Sequence, residues 1–151
     1  MKTVSEVFGE SSEIDLSQTT ISNGKDFSEN DVCIIGMPSY GGRVPAVALE
    51  RMAEYRGNGA KAIIIVSYGN RDYDDTLKEL QDFVIKKGFS CIAAISAVAE
   101  HSIMHQFATG RPDEEDKKEI VAYAKKNCRE IENNEREYSF ENKRKCSVQR
   151  V

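Results

Sequence analysis

The chain has 151 residues, 40% hydrophobic and 30% charged, with a formal net charge of −4; that is enough for one domain with a full core, and it lacks the basic surplus of a nucleic-acid-binding face. No apolar run approaches the roughly 20 residues of a membrane-spanning helix, and no basic-then-apolar leader opens the chain, so a cytoplasmic location with no membrane partner is expected. The four cysteines, at 33, 91, 128 and 146, are too widely spaced for a zinc or iron-sulfur ligand set, so no metal is expected, and Cys33 and Cys91 read as small buried hydrophobes.

Val4, Val7 and Phe8 recur at helical spacing over residues 3 to 8, a helix short enough to need packing, and Gly9 ends it. Glu13, Ile14, Asp15 and Leu16 alternate as a short strand does. The chain is then polar to Asn30, with a turn expected at Asn23-Gly24. Val32, Cys33, Ile34 and Ile35 form an apolar run that Gly36, Met37, Pro38, Ser39, Tyr40, Gly41, Gly42 and Arg43 break abruptly; this pattern predicts a strand buried on both faces that ends in a tight loop. Pro45 suits the first turn of a following helix, in which Ala48, Leu49, Met52 and Ala53 recur until Gly57 stops the pattern.

Residues 60 to 66, with Ile63, Ile64, Ile65 and Val66, predict a second buried strand, ending at Ser67, Tyr68, Gly69, Asn70, Arg71, Asp72 and Tyr73. A helix over 74 to about 87 follows, with Leu77, Leu80 and Val84 on one face and Gly88 at its stop. The alanine-rich stretch 91 to 98 predicts a third buried strand, leading into Ala99, Glu100, His101, Ser102 and Ile103. Past Gly110, Arg111 and Pro112 a last helix begins near Asp113, which can cap it. Glu114, Glu115 and Asp116 suit its positive end, and Ile120, Val121 and Ala124 face inward. Residues 1–127 are therefore expected to form the domain, and 128–151, with Lys143, Arg144 and Lys145, a charged, mobile tail or linker stub.

Three repeats of strand, loop and helix predict a parallel sheet covered on both faces, a three-layer α/β domain. All three strand-to-helix loops, 38–43, 68–73 and 100–102, must then emerge on one rim, where ligands bind in open α/β sheets. They hold Tyr40, Tyr68 and Tyr73, Arg43 and Arg71, two glycine-bearing turns and His101. Rings that stack, backbone N–H groups that bond carbonyls, and cations that meet negative charge suit an aromatic heterocycle bearing a phosphate, such as flavin mononucleotide, FMN. The plainer alternatives are that Tyr40 and Tyr73 only cover the sheet edge, that Gly41-Gly42 serves only a turn, that Asn70 caps a helix, that Arg71 pairs with Asp74 or Asp75, and that His101 and His105 are structural. No catalytic residue is expected. A hydrolase using His101 with Ser102 or Glu100 is disfavoured, because chain neighbours rarely meet as base and nucleophile and no Gly-x-Ser-x-Gly occurs, and a phosphorylatable receiver needs an acidic cluster and a lysine where only Glu100 and His101 stand.

The segments Pro38-Ser39-Tyr40-Gly41-Gly42-Arg43-Val44-Pro45 and Tyr68-Gly69-Asn70-Arg71-Asp72-Tyr73-Asp74-Asp75, with Ala99-Glu100-His101-Ser102-Ile103 and Gly110-Arg111-Pro112, resemble the flavodoxin-like domain of fused flavodoxin-ferredoxin proteins. The resemblance covers residues 3 to 126. It implies a three-layer, doubly wound parallel sheet of order 2-1-3-4-5, FMN as cofactor, and electron transfer with a redox partner such as a ferredoxin, whether as a carrier or as part of a flavin-dependent oxidoreductase. By position it assigns the flavin ring to Pro38, Ser39, Tyr40, Gly41, Gly42 and Arg43 on one side and Tyr68, Gly69, Asn70, Arg71, Asp72 and Tyr73 on the other. Members of that family begin with a strand and a phosphate-binding loop, whereas this chain starts within the first helix, at Lys2 or Thr3, and lacks the ferredoxin cysteines, so a truncated member is expected. Without that loop FMN affinity falls by several kcal/mol, taking each charge-assisted hydrogen bond as about 1.5 to 3. Without that strand two inner sheet edges are left open, which favours association into a homo-oligomer. The alternative function is a flavin-free interaction or remnant domain of the same fold.

Overall fold

Three runs of β-branched and small residues form the strands β1 (Val32–Pro38), β2 (Lys61–Tyr68) and β3 (Ser90–Val98) in a computed structural model that describes residues 2–5, 7, 9, 11–18, 24–135 and 147–150. Between and around them lie the helices α1 (Lys2–Ser5), α2 (Ala46–Met52), α3 (Thr76–Lys86) and α4 (Glu114–Glu135), and a short strand β4 (Ser147–Arg150) follows. The strands pair in parallel in the order β1-β2-β3-β4, with Ile34 opposite Ile63 and Ile65 opposite Ile95. The three-layer α/β architecture is therefore as expected, and the succession β1-β2-β3 fits the third to fifth strands of the order 2-1-3-4-5. Strand β4, beyond β3, has no counterpart in that order.

Because side chains alternate along a strand, each run feeds two cores. Ile35 and Met37, Ile64 and Val66, and Ala94 point to one face, where Met52 of α2 and Leu77, Leu80 and Val84 of α3 cover them. Ile63, Ile65, Ala93 and Ile95 point to the other, under Val4 of α1 and Ile120 and Ala124 of α4. Cys33 and Cys91 pack against the first core, and burial pushes the Cys33 thiol up to about 11, so no thiolate forms there near neutral pH.

Helix ends differ from the sequence expectation by a few residues. Pro45 is the N-cap of α2, at ψ 123°, instead of its first turn. Asp74 has φ +43° and cannot be helical, so α3 starts at Thr76 with Asp75 as its cap residue. Asp113 does cap α4: its Oδ1 accepts the N–H groups of Glu115 and Asp116 at 2.9 and 3.0 Å. The helix runs on past position 128 to Glu135, and β4 lies in the segment read as a tail, while Lys143, Arg144 and Lys145 are outside the described residues. The strand expected at Glu13 to Leu16 does not form. Leu16 packs against the core and its carbonyl, with that of Ser17, accepts from Arg51 Nη1 at 2.7 and 2.8 Å, so a side chain serves the backbone there in place of a ladder. Asn23 of the expected turn lies outside the described residues.

Candidate functional site

At the carboxyl ends of β1, β2 and β3 the chain turns three times, and the turns touch one another. Ser39 Oγ and Thr76 Oγ1 are 2.7 Å apart, tying the first loop to the start of α3. A Cβ on Gly42 would stand 2.5 Å from Asp74 Oδ2, and one on Gly69 would stand 2.6 Å from His101 Cδ2. The first loop thus seats on the second, and the second on the third. The convergence that a parallel sheet imposes is present in the geometry.

The first turn is a two-residue hairpin. Tyr40 N–H donates to the Arg43 carbonyl at 3.0 Å and Arg43 N–H to that of Tyr40 at 3.2 Å, around Gly41 and Gly42 at φ +59° and +78°. Positive φ at both central positions is what a type I′ turn needs and what glycine adopts without strain. The two glycines differ in surroundings: a Cβ on Gly41 meets nothing within 4 Å, one on Gly42 meets Asp74. Gly41→Ala is expected to cost about 1 kcal/mol through φ alone and Gly42→Ala a further 1 kcal/mol or so through the contact. Urea unfolding of the two variants checks this, and equal costs would contradict it.

The side chains assigned to the ring from sequence differ in their surroundings. Tyr40 stands out at 64% exposure. Tyr68 is buried and Tyr73 half-buried, with ring centroids 5.3 Å apart at 73°, an edge-to-face pair that leans on the core under α3. Both arginines have carboxylate partners. Arg43 grips Glu79 through Nε and Nη2 at 3.1 and 2.7 Å, and Glu79 also accepts Val44 N–H at 2.8 Å; that grip holds the Glu79 carboxyl below its ordinary range. Arg71 pairs with Asp74. Asn70, at φ +69°, is a turn residue, and the cap residue of α3 is Asp75. Among the described residues, the N–H groups of Gly41, Gly42, Gly69 and Asn70 have no acceptor.

The third loop is braced from within. His101 Nδ1 accepts the N–H groups of Ile103 and Met104 at 3.2 and 3.1 Å, which places its proton on Nε2. Glu100 receives Gly110 N–H at 2.8 Å and lies 2.7 Å from His105 Nδ1, contacts that depress its pKa, the Gly110 bond most. The braced loop carries Ile103, 82% exposed, with Met104 and Phe107 beside it. Below the rim, Arg43, Leu49, Lys78, Glu79, Phe83 and neighbours line an open groove of about 420 Å³ between α2 and α3.

Thr76, Glu79 and Asp74 hold the site together; Asp74 is the partner for Arg71 that the sequence offers, while Thr76 and Glu79 are not among the residues singled out from sequence. Glu79 had a readable signal, an acidic residue in the first turn of a helix that follows a loop arginine.

No protein-family model matches the chain, and no curated protein matches it. Among solved structures, rubredoxin:oxygen oxidoreductase from the anaerobe Desulfovibrio gigas overlaps with 68% of this chain and 23% of its own, at 15% identity and a TM-score of 0.47. At that score the overlap does not discriminate among open α/β sheets.

Proposed function

We propose that the chain is a flavodoxin-like electron-transfer protein that binds FMN at the rim formed by residues 38–43 and 68–73. The observation that carries the reading is the set of N–H groups at Gly41, Gly42, Gly69 and Asn70, without an acceptor among the described residues, on two touching loops of which the first carries the exposed ring of Tyr40. That donor set fits a planar ring edged with carbonyl and imine acceptors, and the tyrosine face fits its apolar plane. One- and two-electron transfer is the chemistry a bound flavin supplies. Tyr40 would cover the ring, the glycine N–H groups would orient it, and the Gly69–His101 and Gly42–Asp74 contacts would keep the loops at fixed separation. A ferredoxin-like redox partner would then meet the same rim.

Titration of FMN with the protein tests the reading through quenching of flavin fluorescence. Quenching is expected, with Tyr40→Ala weakening binding about two- to tenfold, the value of a lost stacking contact of about 0.5 to 1.5 kcal/mol. Unquenched flavin at high protein concentration rejects it. The residues assigned here all address the ring, so riboflavin is expected to bind within about tenfold of FMN.

The second reading, a flavin-free interaction domain, draws on the braced loop that holds Ile103, Met104 and Phe107 in water. It takes the place of the first if neither flavin binds.

A further inference from the structure

A parallel strand alternates the direction of its backbone groups, so the two ladder bonds at the ends of β1 fix which residues face where. Asp31 C=O accepts Lys61 N–H at 3.0 Å, and Ser39 N–H donates to Ser67 C=O at 2.8 Å. Odd-numbered residues of β1 therefore bond to β2. Val32, Ile34, Gly36 and Pro38 turn their carbonyls, and all but the proline their N–H groups, to the other side, where among the described residues no strand pairs with them.

This edge lacks the usual guards. It is seven residues long, carries no charged side chain, shows no register shift against β2, and has its proline at the last position. Val32 is 37% exposed and Ile34 half-buried. At the far end of the sheet, β3 is covered by a strand of four residues. Among the described residues, the outer edge of β1 is thus the longer of the sheet's two edges, and it is apolar.

We propose that this edge is a dimerisation surface whose occupant is β1 of a second copy, paired antiparallel about Ile34. The row is complementary to itself. With Ile34 opposite its twin, Val32 of each molecule lies opposite Gly36 of the other, and all three outward N–H groups of each strand meet an outward carbonyl. On the face that carries Ile34, the exposed valine then stands beside a residue with no side chain, and the two isoleucines cover each other, a large-to-small fit that a shift of register loses. Two-fold pairing of one segment closes on itself, so it yields a dimer and not a fibre. The proposal does not depend on flavin binding.

The test is the mass of the full chain in solution across protein concentration, with amide exchange on the same samples. A species of twice 16.9 kDa is expected at high concentration, with exchange at Val32, Ile34 and Gly36 slowing at least about tenfold as it forms. Val32→Pro, which removes an outward donor at a strand's first position and no bond to β2, is expected to be monomeric with an unchanged circular dichroism spectrum; Ile34→Lys is expected to behave likewise. A wild-type monomer throughout overturns the proposal. So does a dimer in which those three amides exchange as in the monomer, and so do amides protected in a monomer, which would mean that another segment of the chain covers the edge. The exchange result decides the matter even if a variant fails to fold.

Discussion

Replacing Leu80 with alanine is expected to remove about 3 kcal/mol of folding free energy, within the 2 to 5 that buried leucine truncations cost, and to lower the thermal midpoint by about 6–12 °C in a chain of this size. Leu80 is fully buried at the middle of α3, packed with Val84 and Leu77 over Ile64, Val66 and Ala94 of the sheet. Those strand residues cannot follow it inward, because their backbones are locked in the β1-β2-β3 ladders, so the cavity stays open and its cost adds to the lost transfer energy. Ile85, five positions on in the same helix, is 51% exposed, and Ile85→Ala should change stability by no more than about 0.5 kcal/mol. Urea unfolding of the pair checks the contrast. Similar losses at both positions would mean that α3 is not held on the sheet by the face described.

That face was readable because Leu77, Leu80 and Val84 keep a helical period and no other arrangement buries all three. The strands were readable for a related reason: runs such as Ile63 to Val66 are apolar at every position, which only a strand covered on both sides uses up. The convergence of the loops followed from parallel topology alone. What did not follow was the direction of single side chains at the rim. Tyr68 lies two residues beyond Val66 and therefore on the same face as Ile64 and Val66, toward α3; the two-residue period carries that information, and reading the loop as beginning at Ser67 discards it. Arg43 turns to Glu79 because a carboxylate stands in the first turn of α3; the carboxylate is readable from its place in the helix, but not that Arg43, instead of the nearer Arg71, is the cation that meets it. The failure at Glu13 to Leu16 has the opposite cause, since an alternating pattern is only a strand if an edge accepts it, and at the end of this segment Arg51 takes the carbonyls of Leu16 and of Ser17 just beyond it. The extension of α4 to Glu135 carries Arg129 and three glutamates, good helix formers, over a stretch in which Cys128 and Ile131 alone continue the apolar spacing of Ile120 and Ala124.

Asp116→Ala is expected to cost about 1.5 to 3 kcal/mol, the value of hydrogen bonds to a charged group, and to remove part of the protein's acid sensitivity. The carboxylate is buried, paired with both Nε and Nη2 of Arg111, and accepts Asp113 N–H at 2.8 Å, so it ties the end of the third loop to the first turn of α4. The Arg111 contacts hold its pKa below the ordinary 3.8, against the opposing effect of burial. A carboxyl depressed in the folded state binds protons more readily when unfolded. Its stabilisation is therefore complete above the unfolded value, at about pH 4 and higher, and is lost as pH falls through the lower folded value. Arg111 stays charged across that range, so Asp116 does the titrating. The stability of the wild type should fall below about pH 4 more steeply than that of Asp116→Asn, which keeps the shape but cannot ionise, and the two should differ most near neutral pH. Chemical unfolding at a series of pH values from 7 down to about 2 measures both slopes, and parallel curves would show that this pair does not hold the loop to the helix.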